Sequence, residues 1–204
     1  MNGLDQTAGM NPPKILVFAG STRSGSYNKL LSKCAAEALR AAGAEVTWLD
    51  LRDLGLPLFD GDLEEEKGLP EGAKKLKAAM QASDGFLISS PEYNSSITGV
   101  LKNAIDWASR TESDDEPSLI AFRGKVVALV SASPGALGGM RALVTLRSIL
   151  GNIGVVVLPD QLSISNAHEA FAEGGKLKDE KKARQLAGIA KALVQTASKL
   201  SAKN

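Results

Sequence analysis

The sequence contains one cysteine, one histidine and almost no net charge. A lone thiol, Cys34, can neither close an internal disulfide nor supply a thiolate metal cluster, and it suits a reducing compartment. Lys and Arg total 24 against 23 Asp and Glu, a formal charge of +1. That balance gives no electrostatic reason to expect nucleic acid or a membrane surface as partner. The residues up to Asn11 are polar and Gly-rich, without a basic region followed by an apolar one, so they read as neither signal peptide nor membrane helix. Residues 1–13 are expected to form a flexible tail ahead of one domain spanning 14–204, in a cytoplasmic protein.

What is present is a core. Hydrophobic residues make up 44% of the 204 and charged residues 23%, enough to bury a continuous sheet. After Pro12 and Pro13, the run from Lys14 to Ala19 reads as a strand buried on both faces. Leu31, Cys34, Ala35, Ala38 and Ala42 then recur at helical spacing, with Gly43 as a stop. Strand-length runs follow at Glu45–Asp50, Gly85–Ser89, Lys125–Val130 and Val155–Leu158. Helical stripes lie between and after them: Ala73 to Met80, Val100 to Arg110, Leu143 to Leu150, and Leu186 to Leu200. Five strands alternating with five helices predict an α/β, doubly wound parallel sheet with helices on both faces. The clusters Glu64–Glu66 and Asp114–Glu116 fall between these elements and read as solvated loops rather than metal sites.

In such a sheet, ligands bind beyond the carboxyl ends of the strands. Three loops there are unusual. The first runs from Gly20 to Asn28 between a strand and a helix, where backbone N–H groups and the helix dipole favour a phosphate. Ser21, Thr22, Ser26 and Asn28 add neutral donors, Arg23 adds a charged fork, and Tyr27 completes the set. Ser26 and Tyr27 stand where a Walker A loop needs Lys and Ser/Thr, and Gly-x-Gly-x-x-Gly is missing. Nucleotide hydrolysis and the dinucleotide fingerprint are therefore disfavoured, and a terminal monophosphate fits best. The same residues also suit simple helix capping. The second loop carries Pro91, Glu92, Tyr93 and Asn94, with Tyr93 placing a ring at its mouth. The third carries Ser131, Ser133, Gly135, Gly138 and Gly139, small positions that let backbone approach a flat ligand.

Gly20-Ser-Thr-Arg-x-x-Ser-x-Asn28, Pro91-Glu-Tyr-Asn94 and Leu101-Lys-Asn-Ala-Ile-Asp-Trp107 resemble the NADPH-dependent FMN reductase family, which includes quinone, chromate and azo-dye reductases. The resemblance runs from Lys14 to the last helix. It implies a flavodoxin-like five-stranded sheet in order 2-1-3-4-5, bound FMN, NADPH (or NADH) as donor, a small-molecule acceptor, and a homodimer or homotetramer. Ser21, Arg23, Ser26 and Asn28 carry over as phosphate-loop positions, as do the four residues from Pro91 to Asn94; the third loop is more variable in that family. Flavin would carry the redox chemistry, so no side chain is assigned as catalytic acid or base and no metal is expected. A flavodoxin-type electron carrier is the alternative, although carriers of that kind are usually strongly acidic.

Four residues read as structural. His168 lies in a polar segment after the fifth strand, away from the three loops, and Cys34 falls on the apolar stripe of its helix as a small core residue. Asp106 and Trp107 read as packing or subunit interface, with Arg110 placed to reach a partner's flavin site.

Overall fold

The computed structural model describes residues 11–201, so most of the expected N-terminal tail lies outside the described residues. Strands β1 (Lys14–Ala19), β2 (Glu45–Asp50), β3 (Gly85–Ser89), β4 (Val126–Ala132) and β5 (Val156–Ile164) form one all-parallel sheet in the order β2-β1-β3-β4-β5. The sheet is the expected flavodoxin-like one.

Burial on both faces follows directly from the alternation of side chains along each central strand. Ile15, Val17, Leu87, Ala128 and Val130 point to one face, where α1 (Tyr27–Ala41) and α7 (Glu180–Ser201) cover them with Leu31, Ala35, Leu39, Ile189 and Leu193. Leu16, Phe18, Phe86, Ile88, Val127 and Leu129 point to the other, under α3 (Glu71–Gln81), α4 (Gly99–Ala108) and α5 (Met140–Asn152). Each fully buried Leu, Ile, Val or Phe contributes roughly 1.5–3 kcal/mol relative to an exposed one, so the two faces hold the sheet as a rigid platform.

Several elements depart from the sequence expectation. Glu64–Glu66 lie on a short helix, α2 (Gly61–Lys67), which Asp60 caps by accepting from Asp62 N, rather than in a loop. A 3₁₀ turn over Leu51–Leu54 and the one-turn α6 (Ala167–Ala170) were likewise too short to show periodicity. Strand β5 is longer than the apolar run 155–158. Its register with β4 slips between Val127 and Leu129, where Pro159 and Asp160 fall on the outer strand of the sheet. Glu116 is not simply solvated either: it ion-pairs with Lys77, whose side chain is 1% exposed, and Glu112 lies 3.4 Å from the same ammonium.

The end of α4 is spent within the chain. Trp107 is fully buried, donates to the Pro57 carbonyl (2.9 Å) and meets Phe59 edge-on. Asp106 pairs with Lys102 (2.6 Å), and Arg110 donates to both Glu64 oxygens (2.7 and 2.9 Å) while covering Phe59. Of the two readings of Trp107, packing is the one found, and Arg110 is engaged by Glu64 of its own chain.

Candidate functional site

The loops after β1, β3 and β4 converge because one buried side chain ties them together. Asn28, 3% exposed, donates from Nδ2 to the Ala132 carbonyl (2.8 Å). Its Oδ1 accepts from Ala132 N (2.9 Å) and from the Ser89 hydroxyl (2.9 Å). The start of α1 is thereby fixed to the ends of β3 and β4. The Asn28 side chain, expected as a phosphate donor, thus spends its oxygen and one N–H on joining the loops. Thr98, the N-cap of α4, adds a second tie by donating to the Gly20 carbonyl (2.7 Å). Gly20 itself has no room for a side chain, since a Cβ would stand 2.9 Å from Leu101.

The first loop presents hydroxyls, a guanidinium and a helix N-terminus together. Ser26 caps α1 by accepting from Lys29 N, and Ser21 accepts from Arg23 N (3.3 Å). The N–H groups of Tyr27 and Asn28, in the first turn of α1, have no carbonyl available within the helix and face out of its positive end. Arg23 is exposed and has no carboxylate within ion-pair distance among the described residues, whereas Lys29 is buried and held by Asp50 (2.6 Å). Thr22 is half-buried beside it. The Tyr27 side chain does not join the cradle. Its ring lies parallel to Phe171, with centroids 6.4 Å apart, so only its backbone N–H stays with the loop.

The second loop is a tight hairpin. Tyr93 and Ser96 exchange N–H···O bonds (2.9 and 3.0 Å) around Asn94 and Ser95, whose φ angles of 51° and 65° mark a two-residue left-handed turn. Asparagine tolerates that conformation better than most residues, which gives Asn94 a backbone role. Tyr93 is 60% exposed and Pro91 is buried beneath it. Glu92 does not face the mouth: its carboxylate accepts from Arg141 N (3.0 Å) and Nε (2.6 Å). Expected among the cofactor-binding residues, Glu92 has a side chain that links the second loop to the start of α5.

The third loop divides between scaffold and surface. Ser131 is fully buried; its hydroxyl donates to the Gly138 carbonyl (2.8 Å) and lies 2.9 Å from the Ser163 hydroxyl. Its hydroxyl therefore holds the third loop together. Gly138 and Gly139 have φ of +62° and +87°, and a Cβ on Gly138 would stand 2.8 Å from the backbone of Ile164. Only glycine lets the loop turn so close to β5. Gly135 is exposed and donates to the Ser133 hydroxyl (3.3 Å).

Two contributors were not visible as sequence motifs. Ser133 N donates to the Ile164 carbonyl (3.0 Å), and the Ser133 carbonyl accepts from Ala167 N (3.1 Å). The turn after β5 is thus a fourth wall, and His168 stands nearer the third loop than its sequence position suggests. Its ring is half-exposed and meets Glu169 at 3.6 Å. The other is Lys29, whose charge sits beneath the first loop. An isolated lysine on an apolar helix gives no signal until the fold supplies Asp50.

Taken upward from these contacts, the carboxyl edge of the sheet offers one anion cradle around Ser21, Thr22, Arg23 and Ser26. Beside it lies a shallow wall made by Tyr93, Asn94, Gly135 and the Gly138–Gly139 turn. No group of three or more His, Cys, Asp or Glu side chains arranged to hold a metal occurs among the described residues.

Residues 13–169 match the model of the family described as NADPH-dependent FMN reductase. An NAD(P)H-dependent FMN reductase of Pseudomonas aeruginosa is 39% identical over 175 residues, covering 85% of this chain and 88% of that protein. An NAD(P)H:quinone oxidoreductase of Solanum tuberosum is 35% identical over 195 residues, covering 93% and 95%. Among solved structures, the flavoenzyme NAD(P)H:(acceptor) oxidoreductase FerB of Paracoccus denitrificans superposes with a TM-score of 0.75 at 31% identity, covering 92% of this chain and 98% of that one.

Proposed function

The chain belongs to the NADPH-dependent FMN reductase family, and from that membership we propose how its own residues serve the reaction. It is an FMN-dependent NAD(P)H oxidoreductase that passes electrons from NADPH, or NADH, to a small acceptor. The acceptor class is a quinone, free flavin, azo dye or chromate, and donor and acceptor use the same opening in turn, a ping-pong order. One cytoplasmic FMN-binding domain over residues 14–204 carries the activity.

The donor set fits FMN. A single terminal phosphate matches one exposed guanidinium, three hydroxyls and the free N–H groups at the start of α1. The Gly138–Gly139 turn and the hairpin around Asn94 present backbone rather than bulky side chains, as a flat ring requires. Ser21, Thr22, Arg23, Ser26 and the amides of Tyr27 and Asn28 would hold the phosphate. Tyr93, Asn94, Ser133, Gly135, Gly138 and Gly139 would line the ring. When bound, FMN supplies the chemistry itself, taking hydride from the nicotinamide and releasing electrons to the acceptor.

The chain's part is positional. The Asn28, Glu92 and Ser131 contacts fix three loops before any ligand arrives, so little ordering remains to be done on binding. Backbone N–H groups of the second and third loops offer hydrogen bonds to negative charge growing on the ring. Tyr93 stands over the opening and selects planar partners by stacking.

A homodimer or homotetramer is part of the proposal. Its support is the exposed apolar strip Leu137, Met140 and Val144 (49%, 43% and 64% exposed) where the third loop enters α5. Light scattering at micromolar concentration should report at least a dimer.

The observation that carries the reading is Arg23: an exposed guanidinium without a carboxylate partner, at the start of a helix, beside the ends of the central strands. The test is anaerobic mixing of the FMN-loaded protein with NADPH. Rapid loss of the yellow colour, followed by full recovery on adding benzoquinone, supports a reductase. Slow bleaching would point instead to a carrier of flavodoxin type.

A further inference from the structure

A second cavity, of about 950 Å3, lies on the outer side of α1, roofed by the segment 174–177 and flanked by Trp48 of β2 and the first turns of α7. Its floor and walls are apolar: Leu30, Cys34, Trp48, Leu177 and Leu186. Its size is that of a small-molecule pocket, and no residue of the FMN-binding loops lines it.

The charged residues of the lining are predominantly basic. Lys33, Arg40 and Lys176 border the opening, against the single carboxylate of Glu37. That carboxylate is already committed, accepting from Arg40 at 2.6 Å. Lys33 sits 5.1 Å from the centre of the Trp48 ring, and neither Lys33 nor Lys176 has a carboxylate within ion-pair distance among the described residues. One uncompensated ammonium over an indole face, a second in the same lining and an apolar floor make a specific demand. They fit a molecule with a flat apolar body and one anionic group.

The roof is held, not loose. The Cys34 thiol donates to the Gly175 carbonyl (3.0 Å), Phe171 and Leu177 pair as an isolated bridge, and a Cβ at Gly175 would touch Leu30. We propose that this cavity is a second ligand site, separate from the flavin site, for a small aromatic or alkyl carboxylate. The apolar body lies against Trp48 and Leu177, and the carboxylate meets Lys33 or Lys176 at the rim.

Cys34, the only thiol in the chain, reports on this site directly. The FMN-loaded protein is alkylated with iodoacetamide, and incorporation at Cys34 is followed by mass with and without 2-naphthoate. At tenfold excess over its dissociation constant, 2-naphthoate should slow the alkylation by about tenfold, in proportion to the unliganded fraction. Lys33→Glu should raise the 2-naphthoate dissociation constant read from the protection curve about tenfold, leaving about twofold protection at the same concentration, and the neutral analogue 2-naphthylmethanol should lose about as much. Ala183→Trp, an exposed position at the cavity edge, should fill the space and abolish protection while leaving FMN content unchanged. Any of three results overturns the proposal: no protection at millimolar 2-naphthoate, equal protection by the alcohol, or full protection in Ala183→Trp.

Discussion

The Glu92 carboxylate, 8% exposed, receives both the backbone N–H and the guanidinium of Arg141. One side chain thereby joins the second loop to the N-terminus of α5 and closes the gap between two walls of the flavin site. Its negative charge also sits at the positive end of that helix. Arg141→Ala should cost about 1 kcal/mol of stability, a modest figure because the guanidinium is more than half exposed and the backbone N–H bond survives. The larger effect should be on FMN affinity, through a less ordered pair of loops. Hydrogen exchange of residues 91–96 and 135–141 in the apoprotein should rise in parallel; unchanged exchange would show that the pair is decorative.

Arg23 is the sharpest single test of the phosphate cradle. A charge-assisted bond to phosphate is worth roughly 1.5–3 kcal/mol, so Arg23→Ala should weaken FMN binding about ten- to a hundredfold. Riboflavin, without the phosphate, should bind wild type and variant alike. Arg23→Lys should fall between, since an ammonium keeps the charge but not the planar fork. Identical FMN dissociation constants for wild type and Arg23→Ala would remove the cradle.

Tyr93 separates catalysis from folding. Its side chain is 60% exposed and its backbone, not its ring, makes the hairpin bonds. Tyr93→Ala should slow turnover with NADPH while shifting the apoprotein melting temperature very little. A large loss of apoprotein stability would make it a packing residue.

Asn28 predicts the opposite pattern. Replacing its carboxamide by a methyl group orphans the Ala132 N–H and carbonyl and the Ser89 hydroxyl inside the protein. Asn28→Ala should therefore cost about 3 kcal/mol of apoprotein stability in urea denaturation. If FMN affinity fell while stability held, the carboxamide would be a ligand contact after all.

Glu116 makes part of the stability pH-dependent. The hydrogen bond and charge of Lys77 hold its carboxyl below the usual glutamate value. The folded state then gains stability above the unfolded pKa, and loses it as pH falls through the lower folded value. The melting temperature of wild type should exceed that of Glu116→Gln most near neutrality, and the gap should narrow progressively below about pH 4. A gap independent of pH would mean that the pair contributes no charge-dependent stability.

The sequence by itself determined the five strands, their parallel class and where the loops at their carboxyl ends fall; the order 2-1-3-4-5 came from the family resemblance and is the order found. Apolar runs such as 14–19, 85–89 and 125–130 read as strands buried on both faces, and their alternation with helical stripes calls for a parallel sheet covered on both sides. The first loop was legible because its chemistry is local: glycine, hydroxyls and arginine between a strand and a helix do the same thing in any fold of this class. Only the tertiary structure decided which loop side chains bond one another. Asn28 bonds Ala132 across 104 positions, Glu92 meets Arg141 across 49, and Ser131 closes on Gly138 beside Ser163. A polar side chain in a loop can satisfy its hydrogen bonds with a ligand or with another loop, and its own sequence neighbours are the same in both cases. The choice rests on distances between segments far apart along the chain, which exist only once the sheet has brought them to one edge.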